Sequence, residues 1–523
     1  MSGHGSNSFL FKCLWFLFVL ALCSFTLAHG KKTSRSQPQA PRLPPRLPVR
    51  AVSLGGWLVT EGWILPSLFD GITNEDLLDG AGLQFRSVAR AANLTAEWGG
   101  GTAVVAASRV VNASWATFKL WRIDETTFNF RVFKKQFVGA RGDGAVVATA
   151  AVPGPAETFR IVRSAADKNR VRIRASNGRF LQVKRDYTVT SNYGEGTSSS
   201  DDDPSVFAMS SVGEPHGEYQ ICNGYVRHDQ GHTRDEGNHW DTFIVENDFK
   251  FISSNGLTAV RIPVGWWIAS DPNPPAPYVG GSLKALDKAF SWAEKYKLGV
   301  IIDLHAAPGS QNGAEHSASR DGSVDWGTTD ATIAQTVQVI DFLASRYARS
   351  PSLLAVGLMN EPLAPDVSLD SLLKYYKAGY AAVRKHSSKA YVVMSSRLSG
   401  DSGELLRFAG GLPGAVVDVH YYLFNSSFNN MTAQQNIDYI EKNYAADLRG
   451  LTRRNGPLSF VGEWVAVWNV PNATKQEHQR LAQVQMEVYG QAMFGWAYWT
   501  LKNVNNYWSL EWMIKNGYIS LKH

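Results

Sequence analysis

Cysteine is nearly absent. Only three of the 523 residues are cysteine, and Cys13 and Cys23 fall inside an N-terminal apolar run, leaving Cys222 alone downstream. One thiol closes no internal disulfide, so a stapled small fold is excluded and stability must come from a large core. Long apolar runs are also scarce: beyond the first 30 residues none approaches membrane-spanning length. Charge of one sign is lacking too. The formal net charge is +6 and no dense basic helix stands out, which argues against a nucleic-acid partner; the mild surplus suits attraction to an acidic matrix. No helical metal pair is expected. "RHDQGHTRDEGNHW" (227–240) sets His228, His232 and His239 among acidic residues, ligand types in themselves, but the stretch reads as a surface loop. No cofactor and no metal are expected.

What is present is material for a core. Hydrophobic residues make up 44% and charged residues 19% of the chain, a globular composition. Aromatics reach 12%, with 17 Trp; their flat faces suit sugar rings as well as core packing. Residues 1–30, with "FLFKCLWFLFVLALCSFTLAHG", read as a secretory signal peptide, a signal anchor being the competing reading. The expected location is therefore extracellular or cell-wall, with no membrane attachment after leader cleavage. Glycosylation sequons begin at Asn93, Asn112, Asn425, Asn430 and Asn472. Residues 31–50, rich in Pro and Arg, read as a linker.

From residue 241 onward short β-branched runs alternate with helical stretches. "GLTAVRIP" (256–263), "LGVIIDLH" (298–305), "LLAVGLMNEP" (353–362), "AYVVMSSR" (390–397), "AVVDVHYY" (415–422), "LSFVGEW" (458–464) and "GWAYWTLK" (495–502) are the strands. "AVSLGGWLV" (51–59) supplies an eighth far upstream. Alternation of this kind argues for βαβ units, and eight strands with polar endings for a (β/α)8 barrel in the α/β class. The text between the first strand and the rest is different: Gly-rich, Arg-rich and nearly helix-free. It repeats weakly, with "LQFRSVA", "FNFRVFK" and "RVRIRAS" opening three units and Phe118, Phe159 and Phe207 marking their ends. Three related β units that close on one another make a β-trefoil. The expected division is barrel at 51–82, an all-β insert at 83–212, and the remaining barrel at 213–523.

Catalytic groups of such barrels sit at the C-terminal ends of strands. Those ends carry Glu61, Arg261, His305, Asn360, Glu361, His420, Tyr422, Glu463 and Trp499. Glu361 and Glu463 end the fourth and seventh strands, and two facing carboxylates are what retaining glycoside hydrolysis uses. An adjacent negative charge on Glu463 is expected to raise the Glu361 pKa, and Arg261 to pair with Glu463.

"LGGWLVTEGWILPSLF" (54–69), "DFKFISSNGLTAVRIPVGWW" (248–267), "DLHAAPGSQNG" (303–313), "NEP", "VVDVHYY", "VGEW" and "GWAYWTLK" are together similar to the motifs of glycoside hydrolase family 5, in its fungal exo-1,3-β-glucanase branch. The insert resembles fascin-like domains, a combination similar to a plant group of these glycosidases. The resemblance implies Glu361 as acid/base and Glu463 as nucleophile. It also implies Asn360 on the sugar 2-OH, Tyr422 orienting the nucleophile, and His305, His420 and Arg261 in the pocket. Glu61 would grip hydroxyls in the non-reducing-end subsite, and Trp499 would be the floor on which the sugar stacks. Where the fungal enzymes carry an aromatic residue after "SQNG", this chain has Ala314, so a β-glucan or β-glucoside substrate is better founded than a 1,3 linkage. An endo-acting enzyme of the same family, a β-mannanase or endoglucanase, stays open as a reading. So does a carbohydrate-binding scaffold acting through the insert. The insert is expected to stand apart from the catalytic pocket and is a candidate for binding cell-wall polysaccharide.

Overall fold

A computed structural model describes residues 47–107, 113–194, 200–225, 236–453 and 455–521. The leader, most of the linker, Asn112, His228 and His232 lie outside them. The first strand, β1 (Val49–Ser53), is buried at nearly every position. The chain then turns through Glu61 and enters an all-β unit. Its strands are β2 (Gly82–Ser87), β3 (Ala92–Ala96), β4 (Val104–Ala107), β5 (Phe118–Arg122), β6 (Thr127–Arg131), β7 (Phe137–Ala140), β8 (Val146–Ala150), β9 (Thr158–Arg163), β10 (Arg170–Ala175), β11 (Phe180–Val183), β12 (Val189–Tyr193) and β13 (Phe207–Ser211).

These strands form a β-trefoil. β2, β5, β6, β9, β10 and β13 pair in a closed antiparallel ring, and β3–β4, β7–β8 and β11–β12 are hairpins. Isolated bridges tie the three hairpins together, Ala103 to Val147, Val105 to Thr188 and Ala145 to Thr190. The repeat seen in the sequence has a physical cause. Leu83 faces Phe118, Phe128 faces Phe159, and Val171 faces Phe207 at equivalent points of the three strand pairs. All six side chains are buried in one apolar cluster, each worth roughly 1.5–3 kcal/mol in burial. The insert's ends meet: the Val212 N–H donates to the Gly82 carbonyl and the Gly82 N–H to the Gly213 carbonyl, each at 2.8 Å.

The chain then completes the barrel through β14 (Ala259–Gly265), β15 (Gly299–Ala306), β16 (Leu353–Gly357), β17 (Tyr391–Ser395), β18 (Ala415–Leu423), β19 (Leu458–Trp468) and β20 (Gly495–Tyr498). With β1 they close an eight-stranded parallel barrel in chain order, β20 pairing with β1. Because helices cover the outside, the strands are buried on both faces and read as continuous apolar runs. The helix Ser282–Tyr296 shows why: Ala285, Leu286, Ala289, Phe290 and Ala293 form its buried stripe. Side-chain caps from Thr329, Ser368 and Thr474 start three of the outer helices.

Candidate active site

The barrel registers slip near the strand ends, between Val264 and Gly265, Val419 and His420, Tyr421 and Leu423, and Val461 and Trp464. Such irregularities re-aim side chains, and here they surround the expected site. Along β18, Asp418, His420 and Tyr422 are spaced by two and share a face; Asp303 and His305 do the same on β15. Gly462, just before Glu463, has to be glycine: a Cβ there would lie 2.2 Å from Asp418 Oδ1, which instead accepts the Gly462 N–H at 2.8 Å. Glu361 follows β16 in a left-handed conformation, φ 46°, a strain of about 1–3 kcal/mol for a non-glycine residue of the kind that collects at functional sites.

The structure gathers the residues read from the sequence around one cavity of about 350 Å³. Glu61, His305, Glu361, Tyr422, Glu463 and Trp499 line it. Arg261, 1% exposed, lies beneath, its Nη1 2.7 Å from Glu463 Oε1 and its Nη2 2.7 Å from Asn360 Oδ1 and 3.1 Å from Asp303. Tyr422 donates to Glu463 Oε2 at 2.6 Å, so both oxygens of Glu463 carry a donor. His305 stacks on Trp499 at 5.3 Å and 6° and bonds Asp303 through Nδ1; burial lowers its pKa. His420 places Nδ1 2.6 Å from Glu361 Oε1 and 3.6 Å from Glu463 Oε2. His239, in the candidate metal stretch, bonds the Gly56 carbonyl through Nε2.

Two buried polar atoms of this set have no hydrogen-bond partner within the described protein, Glu61 Oε1 and Asn360 Nδ2. Such groups are costly unless a ligand satisfies them. Burial pushes the Glu61 carboxyl up to about 8, so near neutrality it can donate as well as accept.

The expectation that Glu361 has a raised pKa does not survive the geometry. Burial acts upward, but the charge of His420 and the hydrogen bond from His316 outweigh it and hold the carboxyl well below its ordinary range. His316 Nε2 lies 3.2 Å from Glu361 Oε2. Burial disfavours the His316 cation, yet Glu361, with Glu61 and Glu463 behind, pushes its pKa up to about 9. His420 is likewise raised, against burial, by Glu463, Asp418 and Glu361. The cluster keeps its protons on imidazoles rather than on the carboxyl.

Sequence reasoning missed His316, Trp63, Phe424 and Trp508, all of which line the cavity. Trp63 donates to Glu61 at 3.0 Å and packs edge-on against Trp508 at 4.8 Å, while Phe424 lies 5.4 Å from Trp508. The one signal available for His316 was that the loop after "SQNG" departs from the family pattern. Donor atoms of Glu361, His420 and Glu463 lie within 4.8 Å of one another. Both nitrogens of His420 already face carboxylates, however, and the Arg261 cation sits on Glu463. The arrangement is that of an acid–base cluster.

Among the described residues, those lining the cavity come from the barrel and not from the insert. The insert nonetheless grips the loop after β15. Asp321 accepts from Trp121 and Arg131, both at 2.6 Å, Arg131 also donates to Ser323, and Arg320 lies over the Trp121 ring at 3.8 Å.

A family model described as cellulase (glycosyl hydrolase family 5) matches residues 228–505, over half of the chain, and a model for a domain of unknown function (DUF7910) matches residues 74–212. The chain is 38% identical over 231 residues to a probable glucan 1,3-beta-glucosidase A of Emericella nidulans, covering 43% of this chain and 54% of that protein. It is 30% identical over 323 residues to the glucan 1,3-beta-glucosidase of Yarrowia lipolytica, covering 53% and 75%. The chain thus spans about half the length of the first of these and three quarters of the second. Among solved structures, AoRut superposes with a TM-score of 0.50 at 22% identity over 58% of this chain and 88% of that one, a likeness of fold. The site lies within the matched segment except for the first strand, its loop and Trp508, and the chain belongs to glycosyl hydrolase family 5.

Proposed function

We propose that the chain is a retaining β-glycosidase that releases glucose from the ends of β-1,3-glucans or related β-glucosides. The observation that carries this reading is the approach of Glu361 and Glu463, with carboxylate oxygens within 4.8 Å of each other, at a cavity of about 350 Å³. A short separation fits a covalent glycosyl-enzyme, whereas an inverting enzyme keeps its carboxyl groups roughly 6.5–9.5 Å apart to admit a water. In this reading Glu463, oriented by Tyr422 and Arg261, attacks the anomeric carbon, and Glu361 handles the proton of the leaving group. Asn360 Nδ2 and Glu61 Oε1, without hydrogen-bond partners among the described residues, take sugar hydroxyls, and Trp499 provides the stacking floor. The small volume and the rim of Trp63, Phe424 and Trp508 favour a chain end over the open groove of an endo-acting enzyme. The glucan preference rests on the names of the fungal relatives.

Secretion through the leader 1–30, with 31–50 as linker, belongs to the same proposal. So does wall binding by the insert 83–212, on which Trp98 and Phe133 stand 65% and 64% exposed. No described helix is long and apolar enough to cross a membrane. The test is hydrolysis of a β-1,3-glucan followed by NMR during the first turnovers. Glucose alone, appearing as the β-anomer, is expected. Initial α-glucose would remove the nucleophile role of Glu463, and a ladder of oligosaccharides would establish endo cleavage instead.

A further inference from the structure

An acid catalyst held ionised by its neighbours has to obtain its proton from somewhere. Glu361 faces His420 on one oxygen and His316 on the other. The charged and titratable groups around this pair include Glu463, Glu61, Tyr422, Asp418, Asp303, His305, Arg261 and, beside His316 in its loop, Glu315. His420 is fixed by carboxylates on both sides, with Nε2 3.3 Å from Asp418 Oδ2. His316 is placed differently. Its Nε2 lies 3.2 Å from the Glu361 carboxylate, an acceptor, and 2.8 Å from Asn312 Nδ2, a donor. The orientation of that amide is fixed, because Asn312 Oδ1 accepts the Ala314 N–H at 3.0 Å while Nδ2 also donates to the Glu361 carbonyl at 3.0 Å. One ring nitrogen therefore has a partner in either protonation state. Charged, it donates to Glu361; neutral, it accepts from Asn312. An imidazole nitrogen with one partner for each protonation state can give up and regain a proton with little loss of hydrogen bonding, and the His316 side chain, 22% exposed, is only partly buried.

The position of this ring depends on a loop that does not stand alone. His316 lies between β15 and the helix Asp330–Tyr347, and downstream of it Arg320, Asp321 and Ser323 are clasped by Trp121 and Arg131 of the insert. The Arg131–Asp321 pair is nearly dry, its side chains 13% and 4% exposed. From the other side, Gln220 donates to the Ser319 and Arg320 carbonyls, and Glu315 accepts the His216 N–H.

We propose that His316 is the proton reservoir of Glu361, and that the β-trefoil insert takes part in the reaction by holding the loop that presents it. This rests on the glycosidase reading above. In the bond-breaking step a proton passes from His316 Nε2 to Glu361 and from Glu361 to the leaving oxygen. That oxygen takes the electron pair of the broken C1–O bond, while Glu463 supplies the pair that bonds to C1. In the second step the oxygen of a water bonds to C1, Glu463 departs with its electron pair, and the water's proton returns through Glu361 to His316. His316 acts through Glu361 and is a positioning residue.

The test uses full-length His316→Asn and Arg131→Gln, each checked by thermal unfolding, with aryl β-glucosides of good and poor leaving groups. For His316→Asn, kcat/KM on the poor leaving group should fall about 10- to 100-fold, with the good one changed less than about threefold. The alkaline limb of the pH profile should move down by about one unit or more. Arg131→Gln should shift the limb the same way by less. Equal losses on both substrates with an unmoved limb, or no loss, would overturn the role of His316. A folded Arg131→Gln with the wild-type profile would remove the insert from it. Absence of β-glucosidase activity in the wild-type protein would instead sink the underlying reading.

Discussion

The barrel and the trefoil solve the same problem, burying a closed ring of strands, with opposite tolerance for charge. The trefoil's central cluster is apolar throughout, built from residues such as Leu83, Phe118, Phe128, Phe159, Val171 and Phe207. The upper end of the barrel buries Arg261, Asp303, His305, Asp418, Glu463, Glu361 and Glu61. Desolvating so many charges costs several kcal/mol per ion before pairing offsets it, and no stability argument asks for them there. The barrel gathers its buried charges around one cavity, whereas Arg122 and Asp203, also buried in the insert, are held by the carbonyls of Thr73, Asn74 and Leu77 and by the Ser205 N–H.

The largest effect should come from the charged region. Glu463→Ala should lower kcat on an aryl β-glucoside at least about 10⁴-fold, and azide should restore part of it while yielding the α-glycosyl azide. Near-normal turnover would mean that Glu463 is not the nucleophile. The apolar region should answer in stability instead. Phe207→Leu leaves a gap in one of three equivalent strand pairs and should cost about 1–2 kcal/mol. Thermal unfolding would show that loss, with kcat/KM for a good leaving group unchanged below the transition. A comparable fall in turnover would mean that the trefoil's packing and the pocket's chemistry are not separable.

The last expected effect is read through pH. Burial raises the Glu61 pKa to about 8, above the ordinary value of 4.5 that the group has in the unfolded chain. The folded state thus binds one more proton than the unfolded state between those values, and stability falls as pH rises from about 4.5 to about 8. Glu61→Gln keeps the shape without the ionisation. Its melting temperature should gain on the wild type between pH 5 and pH 8.5; a constant difference across that range would mean that Glu61 is not the group responsible.

Much of the fold was legible because it rests on local pattern. Barrel strands are continuous apolar runs ending on Asn360–Glu361 or Glu463, and the trefoil repeats its phenylalanines because Phe118, Phe159 and Phe207 occupy equivalent pairs. What was not legible depends on the path of loops. Trp63, Phe424 and Trp508 carry no periodic signature, and they meet only because three connections converge above the barrel. The protonation of Glu361 was misread for the same reason. Its two imidazoles lie 59 residues downstream, on a strand, and 45 upstream, in a loop, and neither is a sequence neighbour. Arg261 on Glu463 was foreseeable because strand ends in a closed barrel point into one another.

The paired backbone bonds that join Gly82 to Val212 and Gly213 give the insert the connectivity of a plug-in part. A domain whose entry and exit share one point adds no span to the host, so the barrel can acquire or shed it in a single event without re-registering a strand. The joint would accept many replacements. The loop carrying His316 would not, because a substitute must also present an indole and a guanidinium where Trp121 and Arg131 now meet Asp321. Compatibility in a swapped chain is therefore set at the second contact rather than at the splice, and a search for exchangeable domains should screen for that pair.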